Sequence, residues 1–173
     1  TSATYDGTAK GVNVVTVPGG LSNSVTYNGS LNRPSNAGSY SVVATVNDGN
    51  YAGSGTSTLT IAQASNTINF PALSGVTYSN GVTVGLGATA SSGMAVVYSS
   101  ASTNVSISGS TVTVLGSGTA MIVASQEGDS NRVAATPVTN TLTVGQGSAS
   151  VSISGTSATY DGTAKGVNVV TVP

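Results

Sequence analysis

The first eighteen residues of the chain, TSATYDGTAKGVNVVTVP, recur without a change at residues 156–173. Such an identity within one chain marks a tandem repeat, here with a period of 155 residues. Repeats of fixed period are stacked structural units in which each unit contacts mainly its neighbours. We therefore expect a long array of repeats that follow one another head to tail.

Apolar and small polar residues alternate along most of the repeat. In residues 39–46, Tyr40, Val42 and Ala44 occupy every second position, which is the pattern of a strand with one buried face. Further strands are predicted at residues 12–17, 24–28, 57–61, 82–88, 96–99, 105–107, 111–115, 119–125 and 139–144. Asn-Gly and Asp-Gly pairs separate the runs, and no window shows a helical period. The pattern predicts an all-β chain of Ig-like β-sandwiches.

Two similar turn-and-strand segments divide the repeat into two domains. An Asx-rich turn at residues 47–51 precedes the strand sequence TLTI, and a second turn at residues 128–132 precedes TLTV. We therefore predict two Ig-like β-sandwich domains in tandem, at residues 1–62 and 66–145. The junction between them is only a few residues long, which favours a stiff rod over freely jointed domains.

The sequence SASVSISG at residues 148–155 is predicted to be a strand that leads into the repeated block. Residues 148–173 would then hold the first strand and the start of the next copy of the first domain. The domain at residues 1–62 is expected to lack the equivalent strand. Because these two ends are complementary, we expect neighbouring copies of the repeat to join head to tail by strand addition, through the segment from Ala149 to Pro173.

Each of the two predicted domains contains its own set of short sequence motifs. The first domain contains YDGTAK at residues 5–10, VTYNG at 25–29, NAGSY at 36–40, VNDGNY at 46–51 and TLTI at 58–61. Together these motifs resemble the MBG-type repeats of large bacterial surface proteins. Through TASSG, VVYSS, TVTV and GSGTA, residues 66–145 are similar to bacterial Ig-like domains of the Big type. The resemblance implies an extracellular adhesin stalk at the bacterial cell surface, with no catalytic residues, and it names no ligand.

The side-chain chemistry of the chain excludes most catalytic mechanisms. The chain has no His and no Cys, so the commonest general base, thiolate nucleophiles and zinc–thiolate sites are absent. Its 4 Lys and Arg residues cannot neutralise a run of phosphates, so no nucleic-acid partner is expected. No apolar run reaches membrane-spanning length, so no membrane insertion is expected in this segment. We predict no enzyme activity and no catalytic, cofactor-binding or metal-binding residues.

Acidic and amide side chains in two loops could offer oxygen ligands to Ca²⁺. These are Asp48 with Asn50, and Asp129 with Glu127 and Asn131. Each loop supplies only one or two carboxylates, whereas Ca²⁺ takes about six to eight oxygens. Capping of the turns by the Asx side chains is therefore the favoured interpretation.

Lysine and tyrosine side chains allow two further hypotheses. Lys10 could form an intramolecular isopeptide bond, but its place beside the turn at Asp6 favours an ordinary exposed lysine. Tyrosines could stack on sugar rings, although we expect them to seal the sandwich ends or the domain junctions. They are Tyr5, Tyr27, Tyr40, Tyr51, Tyr78 and Tyr98.

Together these patterns predict a structural stalk or filament segment of an extracellular bacterial surface protein, which bears load and provides reach. The alternative is a glycan- or ice-binding module presented in tandem. That function would need rows of exposed Thr or Tyr on one flat face. Residues 111–113 and 139–143 are the candidate rows.

Overall fold

The computed structural model describes residues 1–172, which contain β-strands, turns and loops and no helix. The strands are Ser2–Thr4 (β1), Asn23–Tyr27 (β2), Gly38–Val46 (β3), Ser54–Ala62 (β4), Ile68–Asn69 (β5), Val76–Thr77 (β6), Thr83–Gly85 (β7), Thr89–Ala90 (β8), Val97–Ser99 (β9), Val105–Ser108 (β10), Thr111–Val114 (β11), Gly118–Gln126 (β12), Ala135–Gly145 (β13), Ser150–Ser154 (β14) and Asn168–Val172 (β15). Pro173, the end of the predicted strand-addition segment, lies outside the described residues. Among those residues, no helix is long and apolar enough to cross a membrane. The predicted all-β class is confirmed, and the arrangement as tandem Ig-like β-sandwiches stays a prediction.

The chain divides into two compact units that do not follow chain order. Unit 1 consists of Thr1–Asn69, Ala88–Val96 and Ser125–Val138, and the rest of the chain forms unit 2. Strands β12 and β13 each contribute residues to both units. The domain boundaries predicted at residues 62, 66 and 145 stay a prediction.

Unit 1 is built on a four-stranded sheet in the order β1-β4-β3-β2. Strand β3 is antiparallel to both of its neighbours, with Val42 opposite Tyr27 on β2 and Ser57 on β4. Strand β1 is parallel to β4, with Ala3 opposite Ile61. The small antiparallel pair β5-β8 belongs to the same unit.

The core of unit 1 lies at one end of this sheet. Tyr27, Val42, Leu59 and Ile61 are buried together, because alternate residues of paired strands face the same side. Gly55 lies on that same face of β4 and is nevertheless exposed. One end of the sheet is therefore covered, and the other end is open.

Unit 2 contains the antiparallel sheet β10-β11-β7, most of the sheet β6-β13-β12-β9 and the antiparallel hairpin β14-β15. Alternate residues of the first two sheets are buried, which gives each sheet one apolar face. They include Val112 and Val114 on β11, Ile122 on β12, and Leu142 and Val144 on β13. The hairpin β14-β15, in contrast, is exposed on both faces.

Most strands lie within a few residues of the positions that the alternation predicts. The prediction of a strand at residues 12–17 is wrong, because no strand forms there. Residues 168–172, which are identical to residues 13–17, nevertheless form β15. The physical reason is the partner strand, because β15 pairs with β14 and residues 13–17 have no strand beside them. The alternation does not predict β1, β5, β6 and β8. Each of these strands has only two or three residues, which is too few to show an alternating pattern.

Replacement of Leu59 by Ala measures how much the covered end of the sheet stabilises unit 1. Leu59 is 0% exposed, so we expect Leu59→Ala to lower the free energy of unfolding by about 2–5 kcal/mol. Leu31→Ala is the matched control, because Leu31 is 70% exposed and its loss should cost less than about 0.5 kcal/mol. Urea denaturation followed by circular dichroism gives both values. Equal effects of the two variants would contradict the assigned core.

Candidate functional site

A cluster of polar contacts in unit 1 joins the loop at residues 128–133 to the chain segment that follows β4. We call it the junction cluster; its members are Tyr5, Asn36, Ala37, Gln63, Ala64, Asp129, Asn131 and Arg132. Ala64 forms a parallel bridge with Arg132. Its N–H donates to the carbonyl of Asn131 at 2.9 Å, and its carbonyl accepts from the N–H of Val133 at 3.0 Å. The loop is thus attached through the backbone.

Two amide side chains reinforce this attachment. The Oδ1 atom of Asn131 accepts from the N–H of Ala37 at 2.8 Å, and its Nδ2 donates to Oδ1 of Asn36 at 3.3 Å. The Nε2 atom of Gln63 donates to the carbonyl of Asp129 at 2.9 Å. The side chains that hold the loop in place are therefore neutral amides rather than ion pairs.

The conformation of the loop presents Asn131 to its partners. Asp129 Oδ1 accepts from the backbone N–H groups of Asn131 at 2.8 Å and Arg132 at 2.7 Å, as in an Asx turn. Gly128 has a φ of +76°, and a Cβ atom at that position would lie 2.3 Å from the carbonyl oxygen of Arg132. Only glycine fits there without strain.

A cation–π contact completes the junction cluster. The guanidinium carbon of Arg132 lies 5.2 Å from the centre of the Tyr5 ring, within the range of such contacts. Tyr5 also packs against the core of unit 1, and its N–H donates to the carbonyl of Ala62 at 2.9 Å. The loop is thereby connected to the covered end of the sheet.

Two buried amides connect the three chain segments of unit 1. Asn66 and Gln126 are 6% and 8% exposed and hydrogen-bond to each other. Gln126 Oε1 also accepts from the N–H of Gly128 at 2.9 Å, and Asn66 Oδ1 accepts from the N–H of Ser92 at 3.2 Å. Because a buried amide is costly when unpaired, these bonds select one arrangement of the segments.

Residues 13–17 form a second feature of unit 1, which we call the open edge. Val15 and Val17 are 82% and 95% exposed. Within residues 1–172, no backbone N–H or carbonyl of the open edge has a described hydrogen-bond partner. A groove of about 290 Å³ lies between the open edge and the uncovered ends of β3 and β4. The open edge therefore has room and backbone groups for a further strand.

Each copy of the repeated block carries the same ion pair in its turn. Lys10 Nζ donates to Asp6 Oδ2 at 2.5 Å and to Thr8 Oγ1 at 2.9 Å. The hydrogen bond from Lys10, followed by those from Thr8, holds the pKa of the Asp6 carboxyl well below its ordinary value of 3.8. Asp161 and Lys165 repeat the pair. The Lys10 side chain is 19% exposed, so Lys10 is half-buried in this ion pair.

The other predicted candidates lie apart from one another. Asp48 Oδ1 accepts from the N–H of Asn50 at 2.8 Å, so turn capping is confirmed for this loop as it is for Asp129. Tyr5 belongs to the junction cluster, whereas Tyr27 lies in the core and Tyr51 lines the groove at 49% exposure. Among residues 1–172, no three His, Cys, Asp or Glu side chains come together as metal ligands.

The two predicted threonine rows belong to separate sheets. Thr113 on β11 lies opposite Thr83 on β7. Thr139, Thr141 and Thr143 are exposed on β13. The two rows therefore do not form one continuous strand-to-strand array.

Comparison with known proteins assigns part of these features to a family. The MBG domain matches residues 1–65 and 149–173, together just over half of the chain. The chain belongs to the MBG domain family. In this MBG chain the second match begins before the repeated block and includes β14. The similarity of residues 66–145 to Big-type domains stays a prediction.

Two crystal structures of human protocadherin-24 EC1-2 are similar to this MBG chain at 15% sequence identity. Their TM-scores are 0.37 and 0.39, and they cover 62% and 64% of this chain. The chain covers 65% of the first structure and 67% of the second. No curated protein matches the sequence.

Replacement of Asn131 by Ala tests the junction cluster. We expect Asn131→Ala to lower the free energy of unfolding by about 1–3 kcal/mol, because the N–H of Ala37 loses its acceptor. Hydrogen exchange of the Ala37 amide should accelerate in parallel. Asn50→Ala is the matched control, because the described hydrogen bonds of Asn50 involve only its backbone. Unchanged protection of Ala37 in Asn131→Ala would contradict the assigned contact.

The turn of the repeated block should show a measurable pH dependence. The folded pKa of Asp6 is depressed, so its stabilising contribution is present above the unfolded pKa and is lost as the pH falls through the folded value. In an NMR titration, Asp6 should therefore titrate below 3.8, and Lys10→Met should raise its pKa. Asp161 is the internal control and should not respond to Lys10→Met, because it pairs with Lys165. Asp6 values that are equal in both proteins would refute the pairing.

Proposed function

We propose that this chain is a load-bearing segment of an extracellular tandem-repeat protein, a stalk or filament at a bacterial cell surface. The observation that carries the proposal is the parallel pairing of β1 with β4 in unit 1. The recurrence of an eighteen-residue block at a 155-residue period and membership of the MBG family support a unit that is used many times in succession.

Two parallel strands resist extension when the chain is pulled before the first strand and after the second, because of the direction in which the force acts. In unit 1, Ser2 lies opposite Thr60 and Thr4 lies opposite Ala62. A pull on the chain before β1 and after β4 moves these strands in opposite directions along their axes. The hydrogen bonds between them are then sheared together, whereas bonds at the end of an antiparallel hairpin open one at a time. Simultaneous loading raises the barrier to forced unfolding.

The same arrangement recurs later in the chain. Strand β6 is parallel to β13, with Val76 opposite Val144. The junction cluster in unit 1 supports the transmission of force, because the loop at residues 128–133 is hydrogen-bonded to the segment directly after β4. A connection held by several hydrogen bonds bends less easily than a free linker.

The composition agrees with a structural function. Only 5% of the residues are charged, and the chain has neither His nor Cys. A domain that resists force needs paired strands and a covered core, whereas catalysis would need acids or bases at one site. We therefore assign this protein a structural function and no catalytic one.

Single-molecule force spectroscopy on a protein with several 155-residue repeats tests the proposal. We expect two unfolding events per repeat. Ala3→Pro should weaken the β1–β4 pairing by about 1–3 kcal/mol and raise the unfolding rate at a given force by roughly 5- to 150-fold. Ala9→Pro is the matched control, because the backbone N–H of Ala9 takes part in no described hydrogen bond. Unfolding at the same force in Ala3→Pro and in the unchanged protein would overturn the mechanical role of β1.

A further inference from the structure

We infer that the open edge, residues 13–17, is a binding site for strand β14 of a second copy of this chain. The inference deepens the proposed function and rests on it, since it names how neighbouring copies join. The occupant is identified by the chain itself, because the sequence of the open edge recurs at residues 168–172, where it already has a strand partner.

The second copy of the block shows the pairing that the first copy lacks. There, β15 is antiparallel to β14, with Ser152 opposite Val170 and Ile153 opposite Val169. Residues 13–17 have the same sequence as residues 168–172, 155 positions earlier. A strand β14 beside the open edge can therefore pair in the same register. Ser152 would then lie opposite Val15, and Ile153 opposite Val14.

The faces of the two strands agree in this register. Residues directly opposite each other in an antiparallel pair lie on the same face. Ile153 would share a face with Val14, and Val151 with Thr16, both of which are half-buried in unit 1. The serines of β14 would lie on the other face beside Val15, which is 82% exposed. The apolar side of β14 thus turns towards the sheet and its polar side towards solvent.

The groove supplies the space that these apolar side chains need. It is lined by residues of the open edge together with Ala44, Val46 and Gly55 of β3 and β4. Gly55 is exposed although its face of β4 carries the core. A strand beside the open edge would cover this end of the sheet.

The two copies of the block make different strand pairings. In the first copy, Ser2–Thr4 pairs with β4 while residues 13–17 are unpaired. In the second copy, residues 168–172 pair with β14 while residues 157–159, identical to Ser2–Thr4, form no strand. Each copy therefore makes the pairing for which a partner strand lies beside it.

Transfer of β14 from its hairpin to the open edge is favourable because the backbone pairing is conserved and apolar burial is added. In the hairpin, Val151 and Ile153 are 62% and 59% exposed. An isolated two-stranded hairpin is marginally stable in water. Since donor and acceptor surfaces differ, successive additions give open chains of copies, and reciprocal exchange of β14 between two copies gives a closed dimer.

Engineered disulfides test the register directly, because the chain has no cysteine of its own. A Val15→Cys chain mixed with a Ser152→Cys chain should form a mixed disulfide at least about tenfold faster than Asn13→Cys mixed with Ser150→Cys. The second pair is four residues out of register, or roughly 13 Å, beyond the reach of a disulfide. Equal rates for the two pairs would overturn the inference.

Light scattering on the full chain provides a second measurement. We expect dimers or longer oligomers whose share rises with concentration, and at least about tenfold weaker association for Ile153→Asp. Ser152→Asp is the matched control and should associate within about threefold of the unchanged chain, because its side chain lies on the outward face. Both variants should fold, since β14 lies outside the buried core.

The outcomes separate this inference from the proposed function. A chain that stays monomeric at all concentrations and forms no in-register disulfide would overturn strand addition and leave the mechanical function intact. A multi-repeat protein that unfolds without a measurable force peak would overturn the mechanical function instead. In-register disulfides together with weaker association of Ile153→Asp would establish the open edge as the acceptor.

Discussion

A β-strand is stable only when a neighbouring strand takes up its backbone N–H and carbonyl groups, and this constraint governs the whole chain. It explains how one eighteen-residue sequence adopts two conformations. Residues 2–4 are a strand because β4 lies beside them, whereas residues 157–159 have no such neighbour. Residues 13–17 and 168–172 show the reverse dependence on β14. Sequence sets the capacity to form a strand, and the partner decides whether it forms.

The same constraint connects the fold to the proposed function. Parallel pairing of β1 with β4 would resist force under the proposed function, and pairing through the open edge would join one copy to the next. Both depend on backbone hydrogen bonds, so neither needs many charged side chains. A chain with 5% charged residues can still specify its contacts, because strand register depends on which residues face the core.

Amide side chains, rather than ion pairs, connect the chain segments of unit 1. Asn131, Gln63 and the buried pair of Asn66 and Gln126 connect chain segments that are distant in sequence. Their hydrogen bonds involve backbone groups or other amides, so their energies depend little on salt or pH. The turn at Asp6 is the exception, because its carboxylate is held by Lys10.

The sequence by itself determined the repeat, the all-β class, the positions of the longer strands and the capping of turns by Asp48 and Asp129, since each follows from local periodicity or from contacts within a few residues. Only the tertiary structure decided which strands pair. The parallel β1–β4 contact, the partners of Asn131 and the lack of a strand at residues 13–17 join or separate residues that are far apart in the chain. Alternation along a segment records which side chains face a core. The alternation does not show whether a second strand lies beside that segment. Strands pair through backbone N–H and carbonyl groups, which are the same in every residue type except proline.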